Sequence, residues 1–266
     1  MQINASTPSL LSYSQNLASS QKAMQQLATG KKINSAADDP AVLAILSGMQ
    51  GQVGGLDQAS DNTRNSISLL NTAEGAMGDS SSILQDMRTL TVQAGNGTLT
   101  DGDRAAIQQQ MNQLSAQLDT NARSTQFNGI NTNDGSLTNF VTQTGANSGQ
   151  TVTTSISDTS AAALGINTDV STQAAATNSL GTIDNGLQQI SSDRTELGAV
   201  TSSLQFSADN TNQSSINLQS AASTMGDADI AKEASLFSAS SIKLYASVMV
   251  LAKQMNQQKG IISLLA

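Results

Sequence analysis

A strict seven-residue repeat in the last third of the chain limits the possible folds more than any other feature of this sequence. Apolar residues stand at every seventh position from Ile183 to Met225, except at Thr211. A repeat sustained over this length predicts a helix that packs against neighbouring helices with a left-handed supercoil. At 1.5 Å per residue such a helix is about 60 Å long, so this part of the chain is predicted to be a helical rod.

A second long helix is predicted over residues 41–95. Four of its apolar residues share one seven-residue register, namely Leu56, Leu70, Met77 and Leu84. Gly75 and Gly78 each weaken a helix by about 1 kcal/mol relative to alanine, but we expect the helix to be continuous. A turn at 94–104 leads into a further helix. Its predicted buried stripe is Ile107, Met111, Leu114 and Leu118.

The middle of the chain, at about residues 127–172, changes character. Asn-Gly at 128–129 and Asp-Gly at 134–135 are strong short signals for hairpin turns. β-forming residues alternate with polar ones in "LTNFVTQT" and "QTVTTSIS". We expect two or three short strands here, followed by a loose stretch rich in Ala, Ser and Thr.

Both ends of the chain are predicted to be helices. Near the N-terminus three apolar residues lie seven positions apart, at Leu10, Leu17 and Met24. They predict an amphipathic helix that ends near Gly30. Asp39 followed by Pro40 is typical of the start of the next helix. Asp227 is expected to cap the last helix, which runs into "KGIISLLA".

The predicted fold class is mainly α. It consists of long antiparallel helical rods with coiled-coil packing, a small β-hairpin module, and paired N- and C-terminal helices. We expect residues 1–40 and 226–266 to form one domain of terminal helices. Residues 41–225 are expected to form a rod domain that includes the β-hairpin module at about 127–172. Such a plan places the two apolar ends of the chain side by side.

Two missing residue types exclude most catalytic and metal sites. The chain has neither Cys nor His, so it lacks thiolate nucleophiles, disulfides, and the commonest general base and metal ligand. The net charge is −8 and the 12 basic residues are scattered, which argues against nucleic acid as a partner. We expect no catalytic residues, no cofactor and no metal.

No signal peptide and no membrane insertion are expected. The longest nearly apolar run covers nine residues, 244–252, whereas a helix that spans a bilayer needs about 20. No apolar segment of the length of a secretory signal follows the first residue.

The remaining catalytic candidates are weak. Ser19 with Lys22, and Ser240 with Lys243, match a Ser-x-x-Lys spacing, but chance produces such matches in a serine-rich chain. The adjacent residues Asp38 and Asp39 could form an acid–base pair. Neighbouring aspartates at the start of a helix are far more often caps.

The packing partner of the last helix is open at this stage. Met249 and Met255 lie on this helix, which could pack within the chain against residues 8–28. It could equally pack between copies of the chain, because a large exposed apolar area usually marks an interface.

Several longer stretches resemble one family, the bacterial flagellins. The N-terminal half carries "LATGKKINSAADDPAVLAI" and "LQDMRTLTVQAGNGTLTDGDRAAIQ", and the C-terminal part carries "NLQSAASTMGDADIAKEAS" and "AKQMNQQKGIISLLA". "GANSGQTVTTSISDTSAAALGI" is similar to the β module of the family. The resemblance covers nearly the whole chain in the family's order. Residues 146–172 pass almost directly into "SLGTIDNGLQQI", which implies a minimal flagellin without variable outer domains.

The resemblance implies a structural subunit that self-polymerises into the extracellular flagellar filament used for motility. It implies export without a cleaved signal peptide, an export chaperone on about residues 227–266, and contacts with filament cap and hook-associated proteins. It also implies that the terminal helices fold on assembly and bury their apolar residues against neighbouring copies. The expected self-assembly residues are Leu10, Leu17, Met24, Leu27, Leu236, Val248, Met249, Met255, Ile262 and Leu265.

Flagellins of many bacteria are sensed by a Toll-like receptor, and the resemblance places the recognised region at about residues 85–115. Arg88 and Leu90 match recognised positions. Asp86 stands where the recognised form has Arg, and Gln110 stands where it has Glu. A reversed charge in a desolvated contact can cost several kcal/mol, so we expect weak or absent receptor activation.

Three alternatives compete with flagellin. A hook–filament junction protein of the same superfamily shares its termini, but "GANSGQT" and "SLLA" favour flagellin. A chemoreceptor-like helical signalling hairpin is also long and rich in Ala, Ser and Gln. That class would lack the Asn-Gly β module and would not need apolar ends. An enzyme is the third alternative, and the lack of His and Cys argues against it.

Overall fold

The computed structural model describes the backbone of residues 7–265, together with the side chains of residues 9–257, 259 and 260. Five helices and four short strands follow one another in this part of the chain. They are α1 (Thr7–Thr29), α2 (Pro40–Ala94), α3 (Asp101–Ser124), β1 (Gln126–Phe127), β2 (Ile130–Asn131), β3 (Phe140–Gln143), β4 (Thr151–Thr154), α4 (Gln173–Gly226) and α5 (Ile230–Leu265). The predicted class, mainly α with a small β module, is confirmed.

The chain divides into two compact units. One contains the residues up to Gly51 and those from Asn217 onward, and the other runs from Gln52 to Ile216. The borders lie inside α2 and α4. The predicted domains, residues 1–40 with 226–266 and residues 41–225, describe layers of an assembled filament. That division stays a prediction.

The unit from Gln52 to Ile216 is built around one apolar core to which α2, α3 and α4 all contribute. The seven-residue repeat of α4 supplies one side of this core, and the described register of α2 supplies another. Its most deeply buried members include Leu70, Met77, Leu84, Met111, Leu118, Ile183, Ile190 and Leu204. α2 passes through Gly75 and Gly78 without a break. Burial of a regular stripe outweighs the weak helix propensity of two glycines.

α2 and α4 run antiparallel. Arg88 Nε donates to Asp184 Oδ1 at 2.7 Å, and Ser215 Oγ donates to Asp57 Oδ1 at 2.8 Å. Falling residue numbers on α2 therefore match rising numbers on α4. The predicted antiparallel arrangement of the two long helices is confirmed.

Thr211 interrupts the apolar repeat of α4, yet it is buried. Its hydroxyl donates to the backbone carbonyl of Thr144 at 3.0 Å. Thr63 and Thr91 occupy similar buried positions on α2, and each donates to the carbonyl four residues earlier, at 2.7 Å. A buried hydroxyl costs little when it is hydrogen-bonded, so threonine can occupy a core position here.

The β module consists of two antiparallel hairpins, β1–β2 and β3–β4. Asn128 and Gly129 form the tight turn of the first hairpin, with φ values of +51° and +78°. This is the left-handed conformation that a two-residue hairpin turn requires, and Asn-Gly adopts it readily. The prediction from "FNGI" is confirmed, and the number of strands is four rather than two or three.

Two expectations for the middle of the chain are wrong. Asp134-Gly135 does not join paired strands, because it lies between β2 and β3, which belong to different hairpins. Asp134 instead accepts hydrogen bonds from the side chain of Asn131 and the backbone N–H of Ser136. The segment after β4 is not loose, since Ile156 and Val170 are buried in the core.

The connections near the terminal helices follow their capping residues. Gly30 ends α1 with a φ of +67°, and Asp39 Oδ1 caps α2 by accepting the N–H groups of Ala41 and Val42 at 3.0 Å. The prediction that Asp227 caps α5 is wrong. Asp229 does so, because its carboxylate directly precedes α5 and accepts the first free N–H groups of that helix.

Candidate self-assembly surface on the terminal helices

α1 and α5 pack along each other in antiparallel orientation. Ser9 Oγ, near the start of α1, donates to Gln254 Oε1 on α5 at 2.6 Å. At the opposite end, Lys31 and Asp227 form an antiparallel backbone bridge. The possibility that the last helix packs within the chain against residues 8–28 is therefore realised in the structure.

The surface that α5 turns towards α1, which we call the seam, is only partly apolar. Its buried or half-buried positions recur at alternating steps of four and three residues, as expected for one side of a helix. They are Glu233, Phe237, Ser240, Leu244, Ser247, Leu251 and Gln254. Only Phe237, Leu244 and Leu251 among them are large apolar side chains. The seam thus buries little apolar area for a helix of this length.

The seam of α1 follows the same spacing with small and polar residues. Its buried or half-buried positions at this spacing are Ser9, Tyr13, Asn16, Ser20, Ala23 and Leu27, and the adjacent Leu17 and Gln26 are half-buried and buried. Leu10, Leu17 and Met24 each come one residue after a seam position. One residue is about 100° around a helix, so the predicted apolar stripe flanks the seam instead of forming it.

The exposure of the predicted self-assembly residues follows from this offset. Leu10 is 50% exposed and Met24 is 54% exposed, whereas Leu17 and Leu27 are half-buried. On α5, Leu236, Val248, Met249 and Met255 are exposed, with Met249 at 71%. The side chains of Ile262 and Leu265 lie outside the described residues.

Five further apolar residues on the same helices are exposed, although they were not predicted as self-assembly residues. They are Leu11, Ile230, Ile242, Tyr245 and Val250. Ile242, Tyr245 and Met249 follow one another at i, i+3 and i+7, which places them together on the side of α5 opposite the seam. This spacing is readable in "IKLYASVM" and could have identified them. We call all these exposed apolar residues of α1 and α5 the outer surface.

Backbone hydrogen bonds join the two segments that connect the terminal helices to α2 and α4. Lys32 N–H donates to the carbonyl of Gly226 at 2.7 Å, and Ala228 N–H donates to the carbonyl of Gly30 at 2.9 Å. These bonds tie the end of α1 to the start of α5. They hold the antiparallel pair in register.

The two candidate aspartates have separate roles. Asp38 Oδ1 lies 2.8 Å from Lys22 Nζ on α1. The hydrogen bond from Lys22, followed by that from the backbone N–H of Asn34, lowers the pKa of Asp38 from 3.8 to about 2. Because Asp39 caps α2, the geometry favours structural roles for both carboxylates over an acid–base pair.

The Ser-x-x-Lys residues Ser19, Lys22, Ser240 and Lys243 line one groove between α1 and α5. Each serine hydroxyl donates at 2.9 Å to a backbone carbonyl of its own helix, that of Gln15 or Phe237. These hydroxyl groups thus serve helix backbones, which does not favour a serine–lysine catalytic site. Within the part of the chain that the structure describes, no group of three or more Asp or Glu residues could hold a metal ion.

One described helix segment, Ile230–Gln257, is long and apolar enough to cross a membrane by length and composition alone. A window of 18 residues within it has a mean hydropathy of 1.4, and 11% of that window is buried. The apolar run at 244–252 is shorter than this segment because Lys243 and Lys253 bound the run. These two lysines do not make the longer segment polar on average. The expectation of no membrane insertion stays a prediction.

Comparison with known families is unambiguous. The sequence profile described as the bacterial flagellin N-terminal helical region matches residues 3–138. The profile described as the bacterial flagellin C-terminal helical region matches residues 180–265. The chain belongs to the bacterial flagellin family. Only residues 139–179 separate the two matches, which leaves no sign of variable outer domains.

Individual relatives agree with this assignment. The chain is 37% identical to the flagellin of Halalkalibacterium halodurans, over 94% of this chain and 93% of that one. It is also similar to the crystal structure of Bacillus cereus flagellin. That similarity has a TM-score of 0.52 and 30% identity, and it covers 57% of this chain and 88% of the other.

A structure of a putative flagellar hook-associated protein from Vibrio parahaemolyticus shares the fold. Its TM-score is 0.60 at 16% identity, over 71% of this chain and 100% of that one. Identity this low shows a common fold and nothing further. This flagellin is a structural subunit of the bacterial flagellar filament, and the junction-protein and chemoreceptor alternatives are not favoured.

The structure also positions the residues of the possible receptor region of this flagellin. Asp86, Leu90 and Gln110 line one groove between α2 and α3. Arg88 lies outside that lining and donates to Asp184 on α4, which raises its pKa. Three of the four residues are thus brought together, while the fourth is held by an ion pair.

Proposed function

We propose that this flagellin polymerises through the outer surface of α1 and α5, and that contact with neighbouring copies completes the folding of these helices. The proposal rests on one observation: the apolar stripe of α1 lies beside the surface that contacts α5, and not within it. The large apolar residues of the terminal helices remain exposed, while small and polar residues fill much of the contact between them. Large exposed apolar side chains concentrated on two neighbouring helices point to an interaction site.

The occupant that best fits this surface is another copy of the same chain. A filament subunit meets identical subunits on every side, and each of them offers the same exposed residues on α1 and α5. Burial of apolar area contributes about 25 cal/mol per Å². A few hundred Å² per subunit therefore contributes several kcal/mol, enough to offset the cost of ordering the terminal helices.

The weak seam suggests how assembly is controlled. Most of the stability of a helix in a protein comes from the packing of its apolar face, and the α1–α5 contact buries few large side chains. We expect the pair to be largely unfolded in the free subunit and to form at the growing end of the filament. Residues 1–40 and 226–266 would then build the inner layer of the tube, and residues 41–225 would build the layer around it.

The remaining partners are proposed from the family. An export chaperone would cover about residues 227–266 and keep the outer surface of α5 from premature association. Filament cap and hook-associated proteins would meet the subunit at the ends of the filament. The subunit would be exported from the cell without cleavage of a signal peptide and would act outside it. It would have no catalytic activity, no nucleic-acid partner and no membrane-inserted state.

Substitution at Met249 tests the proposal. Because this side chain is 71% exposed, Met249→Glu leaves the subunit fold intact but places a charge in the proposed interface. We expect it to abolish filament growth from seeds, as seen by electron microscopy. Met249→Leu keeps the position apolar with similar volume and is the matched control, which should polymerise normally. Normal filaments from Met249→Glu would contradict an interface at this position.

A further inference from the structure

The methionines of this chain separate into two groups by location. Met24, Met249 and Met255 are each more than half exposed, and they lie on α1 or α5. Met77, Met87 and Met111 are fully buried in the core of the unit from Gln52 to Ile216. Met49 and Met225 are half-buried. Among the described residues, every exposed methionine therefore belongs to the outer surface.

We propose that Met24, Met249 and Met255 are oxidation sites at which peroxide or hypochlorous acid blocks the assembly of free subunits. The proposal rests on the proposed function, because it requires the outer surface to become buried between copies. The chain contains no cysteine, so thioether sulfur is its most readily oxidised group. Reactivity follows exposure, which directs the oxidant to these three residues first.

The chemical step needs only the oxidant. The thioether sulfur attacks one oxygen of hydrogen peroxide, the O–O bond breaks, and a sulfur–oxygen bond forms. The departing hydroxide takes the proton of the transferred hydroxyl group and leaves as water. The sulfur loses two electrons and the peroxide gains them, so each methionine becomes a sulfoxide and each peroxide becomes water.

The product changes the character of the outer surface. A sulfoxide oxygen is a hydrogen-bond acceptor, and a polar group buried without a partner is unfavourable. Leu10, Leu236 and Val248, which also belong to the outer surface, offer no donor from their side chains. Oxidised subunits should therefore fail to add to a filament, whereas assembled subunits would be protected by burial of the same residues.

The test compares two forms of the full chain. Purified wild-type subunits and a Met24→Leu, Met249→Leu, Met255→Leu variant receive the same dose of hydrogen peroxide before seeding. Peptide mass spectrometry locates each added oxygen atom, and light scattering with electron microscopy follows growth. Untreated samples of both proteins give the reference growth of each, so any effect of the leucine substitutions themselves is measured separately. Methionine sulfoxide reductases A and B then reverse the modification, one for each sulfoxide epimer.

We expect Met24, Met249 and Met255 to be oxidised at least about tenfold faster than the buried Met77, Met87 and Met111. The critical concentration of treated wild-type subunits should rise about tenfold or more. The treated variant should grow as its own untreated sample does, and the reductases should restore the growth of treated wild-type subunits. Normal growth of oxidised wild type overturns the proposal, and so does equal inhibition of the treated variant. If untreated wild-type subunits did not polymerise, the proposed function itself would fail, so the two failures are distinguishable.

Discussion

The carboxyl group of Asp38 lies where the segment after α1 turns towards α2. It accepts hydrogen bonds from Lys22 on α1 and from the backbone N–H groups of Asn34 and Ser35. These bonds stabilise the ionised form and lower the pKa of Asp38 from 3.8 to about 2. Asp38 thereby fastens α1 to the segment that follows it.

The direction of this shift predicts a pH dependence. The stabilisation is fully present above the unfolded pKa of 3.8, and it is lost as the pH falls through about 2. We expect the contact between α1 and the segment at 30–39 to loosen between about pH 4 and pH 2. Solid-state NMR titration of the Asp38 carboxyl group in assembled filaments, where the terminal helices are folded, measures this. Lys22→Met should raise the pKa towards its ordinary value, and an unchanged titration would show that Lys22 is not the main cause.

A second residue-scale prediction concerns the receptor region. Asp86 and Gln110 line the same groove as Leu90. Asp86 is negative where the recognised form has a positive Arg, and Gln110 is neutral where that form has a negative Glu. We expect weak or absent activation by the wild-type protein in a Toll-like receptor reporter-cell assay. Asp86→Arg combined with Gln110→Glu should increase it, because both changes restore the expected charges.

Asp61→Arg provides a matched control for that assay. Asp61 is exposed on the same helix, α2, and the substitution makes the same change in net charge as Asp86→Arg. It should leave activation at the wild-type level. Full potency of the wild-type protein would refute the expectation that Asp86 and Gln110 prevent recognition.

At the scale of elements, the start of α5 depends on which aspartate caps it. Asp229 Oδ1 accepts the N–H groups of Ala231 and Lys232 at 3.0 and 3.1 Å. Asp227 instead accepts the hydroxyl of Ser223 at 2.6 Å, at the end of α4. Asp229→Ala should destabilise the first turn of α5 by about 1 kcal/mol. Hydrogen exchange at Lys232 and Glu233 in assembled filaments, where α5 is folded, measures this, and Asp227→Ala is the control that should leave both amides unchanged.

Elements were predictable from the sequence where their periodicity reaches a core within the same chain. The repeat of α4 and the register of α2 identified buried residues such as Ile190 and Leu84 correctly. On α1 the same reasoning identified the helix and its apolar stripe, but not the side that faces α5. A hydrophobic pattern shows which residues avoid water in the final assembly, and it does not show which partner covers them.

At the scale of the whole molecule, the C-terminal end is predicted to be required for assembly and dispensable for the fold of the remainder. Residues 256–266 lie outside the unit from Gln52 to Ile216. Deleting them should leave a soluble subunit with unchanged thermal unfolding of that unit, because its apolar core is intact. The same deletion should prevent polymerisation, because part of the proposed interface is lost.

Circular dichroism and seeded growth under electron microscopy measure the two consequences of this truncation separately. For thermal unfolding, the full chain provides the reference melting curve, so no control deletion is needed. Filaments of normal appearance from the truncated chain would exclude a role for the C-terminal end in assembly.

The sequence by itself determined the helices, the β module with its Asn-Gly turn, the capping of α2 by Asp39, and the family. These depend on interactions over a few residues or on a repeat that one helix carries along its own length. The tertiary structure decided that Asp134-Gly135 lies between two hairpins and that Asp229 caps α5. It also decided that Ser20 and Ala23, rather than Leu10 and Met24, face α5. The position of Asp134-Gly135 depends on which strands pair, and the cap of α5 depends on the residue at which that helix begins. The side of α1 that faces α5 depends on surfaces brought together from more than 200 residues apart along the chain, and no local pattern encodes which side of a helix such a partner will cover.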